Sequence, residues 1–339
     1  MIRPRARQQL VAVLALVIAT GASLLSPRAA GSTCQFTNVD RVVAVGDVHG
    51  AYDRFVEILR AANVLDERLR WIGGRTHLVQ LGDVVDRGPD SMKALDLLER
   101  LAKDAARAGG AVHPLLGNHE AMRMLGDLRY TTPGEYDAFT TSKSSDLRDA
   151  YLERAKADKQ PVASPPVLGW YEIRLAFGQS GKYGKFLRSL DTLIQIDGID
   201  FVHGGISPAV AAMSCDVINQ TVRREYTTDV DKVRADPTAQ LATRADGPLW
   251  YRGLAQEPDE FAPMVDDILA RQNARAIVVA HTVTADGRIR SRFGGKVIQI
   301  DTGMQSAYVS YGRASALEIV RGRMTAVYTD RRDVLSNAP

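Results

Sequence analysis

The chain has 339 residues, 45% of them apolar and 24% charged, the proportions of an ordinary globular protein with room for one large catalytic domain. Its formal charge of +3 is local: residues 1–31 hold Arg3, Arg5, Arg7 and Arg28 with no acid, and without them the charge is −1. No basic stripe remains, which discounts a nucleic-acid partner despite a pI near 8.8.

Three arginines precede residues 10–19, an unbroken apolar run followed by Thr20, Gly21 and small residues up to Ala29-Ala30-Gly31. This is the pattern of a signal peptide over residues 1–31, leaving a catalytic domain at 32–339. The run is short of the roughly 20 residues a membrane span needs, and an uncleaved anchor is the alternative. Arg5-Ala6-Arg7 is not a twin-arginine pair, and Gly31-Ser32-Thr33 before Cys34 is a poor lipoprotein signal. The expected destination is the periplasm or the medium, with no stable membrane association after cleavage. Cys34 and Cys215 are then the two cysteines, and an oxidising compartment permits them to pair, although the sequence does not show that they meet.

A β-α-β pattern follows. The spacing predicts a strand at 41–46, a helix at 52–62 through Phe55, Ile58 and Leu59, a strand at 76–81, a helix at 91–108 ending at Gly109-Gly110, and a strand at 112–116. An insert at about 125–195 is rich in polar and aromatic residues; it includes a predicted amphipathic helix at 145–156 and a loop at 161–166. It either caps the site and selects substrates or forms a plain peripheral subdomain. Further strands are expected at 199–202, 277–280, 297–300, 316–319 and 325–328, the last two joined by a turn at Arg321-Gly322.

Five of these apolar runs end in chemistry. They lead into Gly46-Asp47-Val48-His49-Gly50, Gly82-Asp83-Val84-Val85-Asp86-Arg87-Gly88, Gly117-Asn118-His119-Glu120, His203-Gly204-Gly205 and Ala280-His281-Thr282. Loops past strand ends are where open α/β sheets bind ligands. Four of the chain's six histidines lie in these segments, and histidine is the commonest metal ligand. His77 and His113 lie outside them and read as hydrogen-bonded core or surface residues. Asp47 and His49, two apart on an extended segment, would face one side.

In this order the segments resemble the phosphoprotein phosphatase family of metallophosphoesterases, over about residues 41–320. Residues 125–136 and Pro248-Leu249-Trp250-Tyr251-Arg252-Gly253 resemble its bacterial Shewanella-like branch, and Asp301-Thr302-Gly303-Met304 stands where the eukaryotic enzymes carry another segment. The resemblance implies an α/β fold of αββα sandwich type, a central β-sandwich flanked by helices, with a partly helical insert. It implies two metal ions per site, manganese first with iron or zinc as alternatives: Asp47, His49 and Asp83 on one, and Asp83, Asn118, His203 and His281 on the other. Oxygen and nitrogen donors without thiolate suit those metals. Arg87 and Arg252 would bind the phosphoryl group, His119 would protonate the leaving oxygen and Asp86 would orient His119. A hydroxide bridging the two ions would attack phosphorus directly. Glu120 reads as structural.

The implied function is hydrolysis of phosphate monoesters on phosphoproteins, phosphotyrosine or phosphoserine and phosphothreonine. The alternatives are a small-molecule phosphohydrolase, such as one acting on diadenosine polyphosphates, and a non-catalytic metal- or phosphate-binding module.

Overall fold

A computed structural model describes residues 33–160, 162 and 164–337; the predicted signal peptide lies outside them. Among the described residues there are strands β1 (Gln35–Phe36), β2 (Arg41–Val45), β3 (His77–Gln80), β4 (Ala111–Pro114), β5 (Leu193–Ile196), β6 (Ile199–Val202), β7 (Ala276–Val279), β8 (Arg290–Arg292), β9 (Val297–Gln299), β10 (Ser315–Val320), β11 (Arg323–Tyr328) and β12 (Arg332–Asn337). They form two mixed six-stranded sheets, in the orders β12-β11-β10-β2-β3-β4 and β1-β5-β6-β7-β9-β8. Within the first, β2, β3 and β4 are parallel. Within the second, β6, β7 and β9 are parallel. Every residue of β6 and β7 is buried, which accounts for the continuous apolar character of β7; in β6 the buried Asp200 accepts from the Gln195 side chain at 2.8 Å.

Residues of both sheets belong to one hydrophobic core. Helix α1 (Tyr52–Ala61) presses Phe55, Val56, Ile58 and Leu59 into it, and α2 (Ser91–Arg107) adds Leu95, Leu98 and Leu101, the three-to-four spacing of a helix with one apolar stripe. The consequence for function is positional. Two parallel blocks direct their carboxyl ends toward one region, and each predicted ligand follows such an end.

Helix α3 (Asn118–Leu125) opens the route to the insert, which contributes α4 (Pro133–Phe139), α5 (Ser144–Ala157), α6 (Trp170–Phe177) and α7 (Lys182–Ser189). Helix α5 forms where predicted and has one covered side: Ser144, Leu147, Arg148, Tyr151, Leu152 and Ala155, at three-to-four spacing, are buried or half-buried, while its other residues are exposed. Ile173 and Phe177 of the neighbouring α6 are buried. Residues 193–196 also leave the insert, since β5 is fully buried and pairs with β6.

Cys34 and Cys215 form a disulfide with Cα atoms 6.3 Å apart, tying the residue before β1 to the first residue of α8 (Cys215–Thr227). His77 and His113 hydrogen-bond to each other at 3.1 Å beside the Phe36 ring, remote from the motif histidines in role. Among the described residues, no helix is long and apolar enough to cross a membrane.

Candidate metal centre

The loops after β2, β3, β4, β6 and β7 bring Asp47, His49, Asp83, Asn118, His119, His203 and His281 together, all nine-tenths or more buried. The backbone there is unusual. His49, Asp83, Asp86, Arg87 and His281 take φ values of 49°, 53°, 70°, 64° and 64°, in the left-handed region that costs about 1–3 kcal/mol per residue and clusters at functional sites. This revises how Asp47 and His49 meet. The segment is not extended at His49; a left-handed turn brings the two side chains together, with Nε2 of His49 3.7 Å from Oδ2 of Asp47.

Glu120 holds the turn at Asp83. Its carboxylate accepts from the N–H groups of Asp83 at 2.8 Å, Val84 at 2.8 Å, Val85 at 3.3 Å and Gly117 at 2.9 Å. Four buried backbone donors are thereby satisfied by one side chain. The two loops also touch at Gly82, where a Cβ would lie 2.3 Å from the Gly117 nitrogen.

Hydrogen bonds set the tautomers. Nδ1 of His49 faces the Val85 carbonyl at 2.9 Å, and Nδ1 of His203 faces the Leu81 carbonyl at 2.7 Å. A carbonyl only accepts, so each Nδ1 carries the hydrogen and each Nε2 presents a bare lone pair. Around His203 Nε2 stand Asn118 Oδ1 at 3.0 Å, His281 Nδ1 at 3.2 Å and Asp83 Oδ2 at 3.4 Å. The Asp83 oxygen is also 3.7 Å from His49 Nε2. Lone pairs facing lone pairs in a buried place repel unless a cation lies among them, so the donor set fits metal ions on both sides of Asp83. Asp83, His203 and His281 could hold one ion.

Protonation divides the histidines. Burial, with His119 and Arg87 nearby, pushes His49 down to about 4. Burial and the adjacent His203 also hold His281 well below the usual imidazole range. Both stay neutral, as ligands must. Burial opposes charge on His119 too, but the Asp83 and Asp86 carboxylates outweigh it and raise its pKa. His119, Asp83 and His49 are close enough to share an ion, and the raised pKa of His119 favours its protonated form, which has no lone pair to give. Nδ1 of His119 donates to Asp86 Oδ2 at 2.7 Å, and its Nε2 stands 3.8 Å from Asp83 Oδ2.

Behind that pair lies a chain of charges the motifs do not reveal. Arg123 donates to Asp86 Oδ1 from Nε at 3.0 Å and from a terminal nitrogen at 2.6 Å, and it meets Glu135 of α4 at 2.7 Å. The position of Arg123 on α3, four residues after His119, was the available signal, since that spacing shares a helix face. Arg87 is clamped between two aromatic rings, with its guanidinium carbon 3.6 Å from the Tyr308 centroid and 4.8 Å from that of Tyr130. Arg252 donates to the His281 carbonyl at 2.8 Å and to Thr282 Oγ1 at 3.0 Å. These residues, with Trp250, Val283 and Asp301, line a cleft of about 80 Å³ over the centre. A larger cavity of about 630 Å³ lies in the insert among Tyr151, Trp170 and Tyr171, but it contains none of the candidate site residues. The chemistry belongs to the smaller cleft.

A sandwich of two mixed sheets with neutral imidazoles and carboxylates converging beside clamped arginines defines a metal-dependent phosphoesterase. The calcineurin-like phosphoesterase profile matches residues 40–285, and the chain belongs to that metallophosphoesterase family. It is 33% identical to an uncharacterised protein of Schizosaccharomyces pombe over 82% of this chain and 76% of that protein. It is 29% identical to Shewanella-like protein phosphatase 2 of Arabidopsis thaliana over 87% of this chain and 79% of the other. A solved cold-active protein-tyrosine phosphatase of a psychrophilic Shewanella species is 28% identical, with a TM-score of 0.72 over 90% of this chain and 83% of that one.

Glu120 offers a test of how the site is built. Glu120→Gln keeps the volume but turns an NH₂ group toward backbone donors, so about 1–3 kcal/mol of stability is expected to be lost. Thermal melting and metal analysis of the purified variant should both fall; an unchanged melting point and metal content would mean that Glu120 does not hold the Asp83 turn.

Proposed function

We propose that this chain is a dinuclear-metal protein phosphatase acting outside the cytoplasm, with phosphotyrosine as the favoured substrate and phosphoserine or phosphothreonine also within its class. The observation that carries the reading is the His119–Asp86 pair, whose free Nε2 faces Asp83 between two sets of ligand atoms. In this reading Asp47, His49 and Asp83 hold one ion, while Asp83, Asn118, His203 and His281 hold the other. Bound there, manganese or a similar ion supplies Lewis acidity, making water a competent nucleophile near neutral pH and offsetting phosphoryl charge.

The protein's own groups do the rest. Arg87 and Arg252, which both line the cleft, grip the non-bridging phosphoryl oxygens, and stacking on Tyr308 and Tyr130 fixes the plane of the Arg87 guanidinium. Asp86, itself braced by Arg123, keeps the His119 ring oriented and charged. As the ester bond breaks, His119 Nε2 hands its proton to the leaving oxygen. Tyr130, Trp250 and Tyr308 around the cleft give an aromatic leaving group surfaces to pack on, which supports the preference for phosphotyrosine.

Chelation is expected to abolish turnover and manganese to restore it; full activity in metal-stripped protein would end the proposal. A panel of phosphotyrosine peptide, phosphoserine peptide and diadenosine tetraphosphate ranks the substrates. Within it, His119→Ala should keep its metal but lose about 10²–10⁴-fold on tyrosyl phosphate. The loss should be smaller on a nitrophenyl phosphate, whose acidic leaving group needs less protonation. Equal losses on both esters would refute the acid assignment.

The Arg-rich, apolar leader and the Cys34–Cys215 disulfide together support export to an oxidising compartment. Mature protein is expected to begin near residue 32, and N-terminal sequencing that finds intact Met1 in a soluble cytosolic fraction would contradict export.

A further inference from the structure

A sixth strand end has the same form as the five that carry the motifs. Strand β9 continues through Ile300 into Asp301, and this carboxylate is buried, 1% exposed, in the floor of the cleft. Asp301 and Asp47 meet side chain to side chain. They come from different sheets, and their approach depends on Gly46: a Cβ there would lie 2.8 Å from the Ile300 carbonyl oxygen and 3.2 Å from the Asp301 Cα. Oδ1 of Asp301 accepts from the Gly303 N–H at 3.0 Å, whereas Oδ2 is buried with no hydrogen-bond partner.

Two buried carboxylates in contact need a proton or a cation between them. Among the described residues, no arginine or lysine pairs with either. A single proton would compensate this one pair, but Asp47 also faces the bare Nε2 of His49, which in turn faces Asp83. Multivalent cation charge on this side of the cleft compensates the carboxylates and the imidazole lone pair together, which a proton on one carboxyl does not. We propose that Asp301 is a further metal-binding carboxylate of this centre, a donor to the ion held by Asp47 and His49. The inference rests on the dinuclear reading above and adds to it. It raises the negative charge on that side, so the first ion is held by three carboxylates and one imidazole, and harder, oxygen-preferring metals such as manganese gain over zinc.

The test uses the mature full-length chain, stripped of metal and titrated with Mn²⁺ alone by calorimetry, with metal content read independently by elemental analysis. Wild type is expected to take two ions. Asp301→Asn, which keeps shape but removes charge, should bind one ion at least 10-fold more weakly and retain about one after desalting, while Asp301→Glu recovers part of the loss. Circular dichroism checks folding, and Asp301→Ser replaces the Asn variant should that one not fold. Two ions with unchanged affinity in Asp301→Asn would overturn the role of Asp301 and leave the dinuclear reading standing. Fewer than two ions in wild type would instead sink the dinuclear reading itself.

Discussion

Everything at the centre depends on how the Asp83 carboxylate is held. It is buried, follows a strand that is parallel to both of its neighbours' ligand-bearing strands, and sits in a left-handed turn that the backbone alone disfavours. Glu120 compensates that turn by gathering four N–H groups, and the His119 N–H donates to Asp83 Oδ1 at 2.9 Å. Oδ2 is left facing the ring nitrogens of His49, His203 and His119 at 3.4–3.8 Å. One oxygen aimed at three imidazoles from both sheets joins the ligand atoms of the two sheets into a single buried centre.

The same carboxylate organises charge. Burial opposes charge on His119, but the Asp83 and Asp86 carboxylates outweigh it and raise its pKa, while burial lowers those of His49 and His281. Groups pushed apart in this way acquire separate tasks: lone pairs to bind cations, and one proton to give away. The chain from His119 through Asp86 and Arg123 to Glu135 also joins the insert to the reaction centre, because Glu135 lies on α4 and both ends are buried. Tyr130, from the same insert, walls Arg87. The insert therefore shapes the site at its base, whatever its outer cavity does.

The strand-end ligands were legible in the sequence because they follow short, largely apolar runs bounded by turn residues, which read as strands, although β4 is only half-buried and β6 carries Asp200. The parallel blocks followed from the β-α-β spacing, and helices α1 and α2 agree with their predicted spans to within a residue. Strands β1 and β8 were not legible, being two and three residues long, with β8 reading Arg-Ser-Arg. Arg123 and Glu135 escaped because a buried ion pair is a tertiary fact; in sequence they look like ordinary helical surface charges. Asp301 escaped differently. Val297-Ile298-Gln299-Ile300-Asp301 follows the same rule as Val42–Val45 leading to Asp47, but the family resemblance gives that segment no ligand. The His49 turn illustrates the remaining limit: residue spacing implies proximity, not the backbone conformation that achieves it.

The most direct test of this account is diffraction from manganese-loaded crystals at energies on either side of the metal's absorption edge. Two anomalous peaks per chain, both within ligand distance of Asp83 and divided between the His49 and His203 sides, are expected, with His119 bound to neither. A single peak, or two peaks not joined by Asp83, would contradict it.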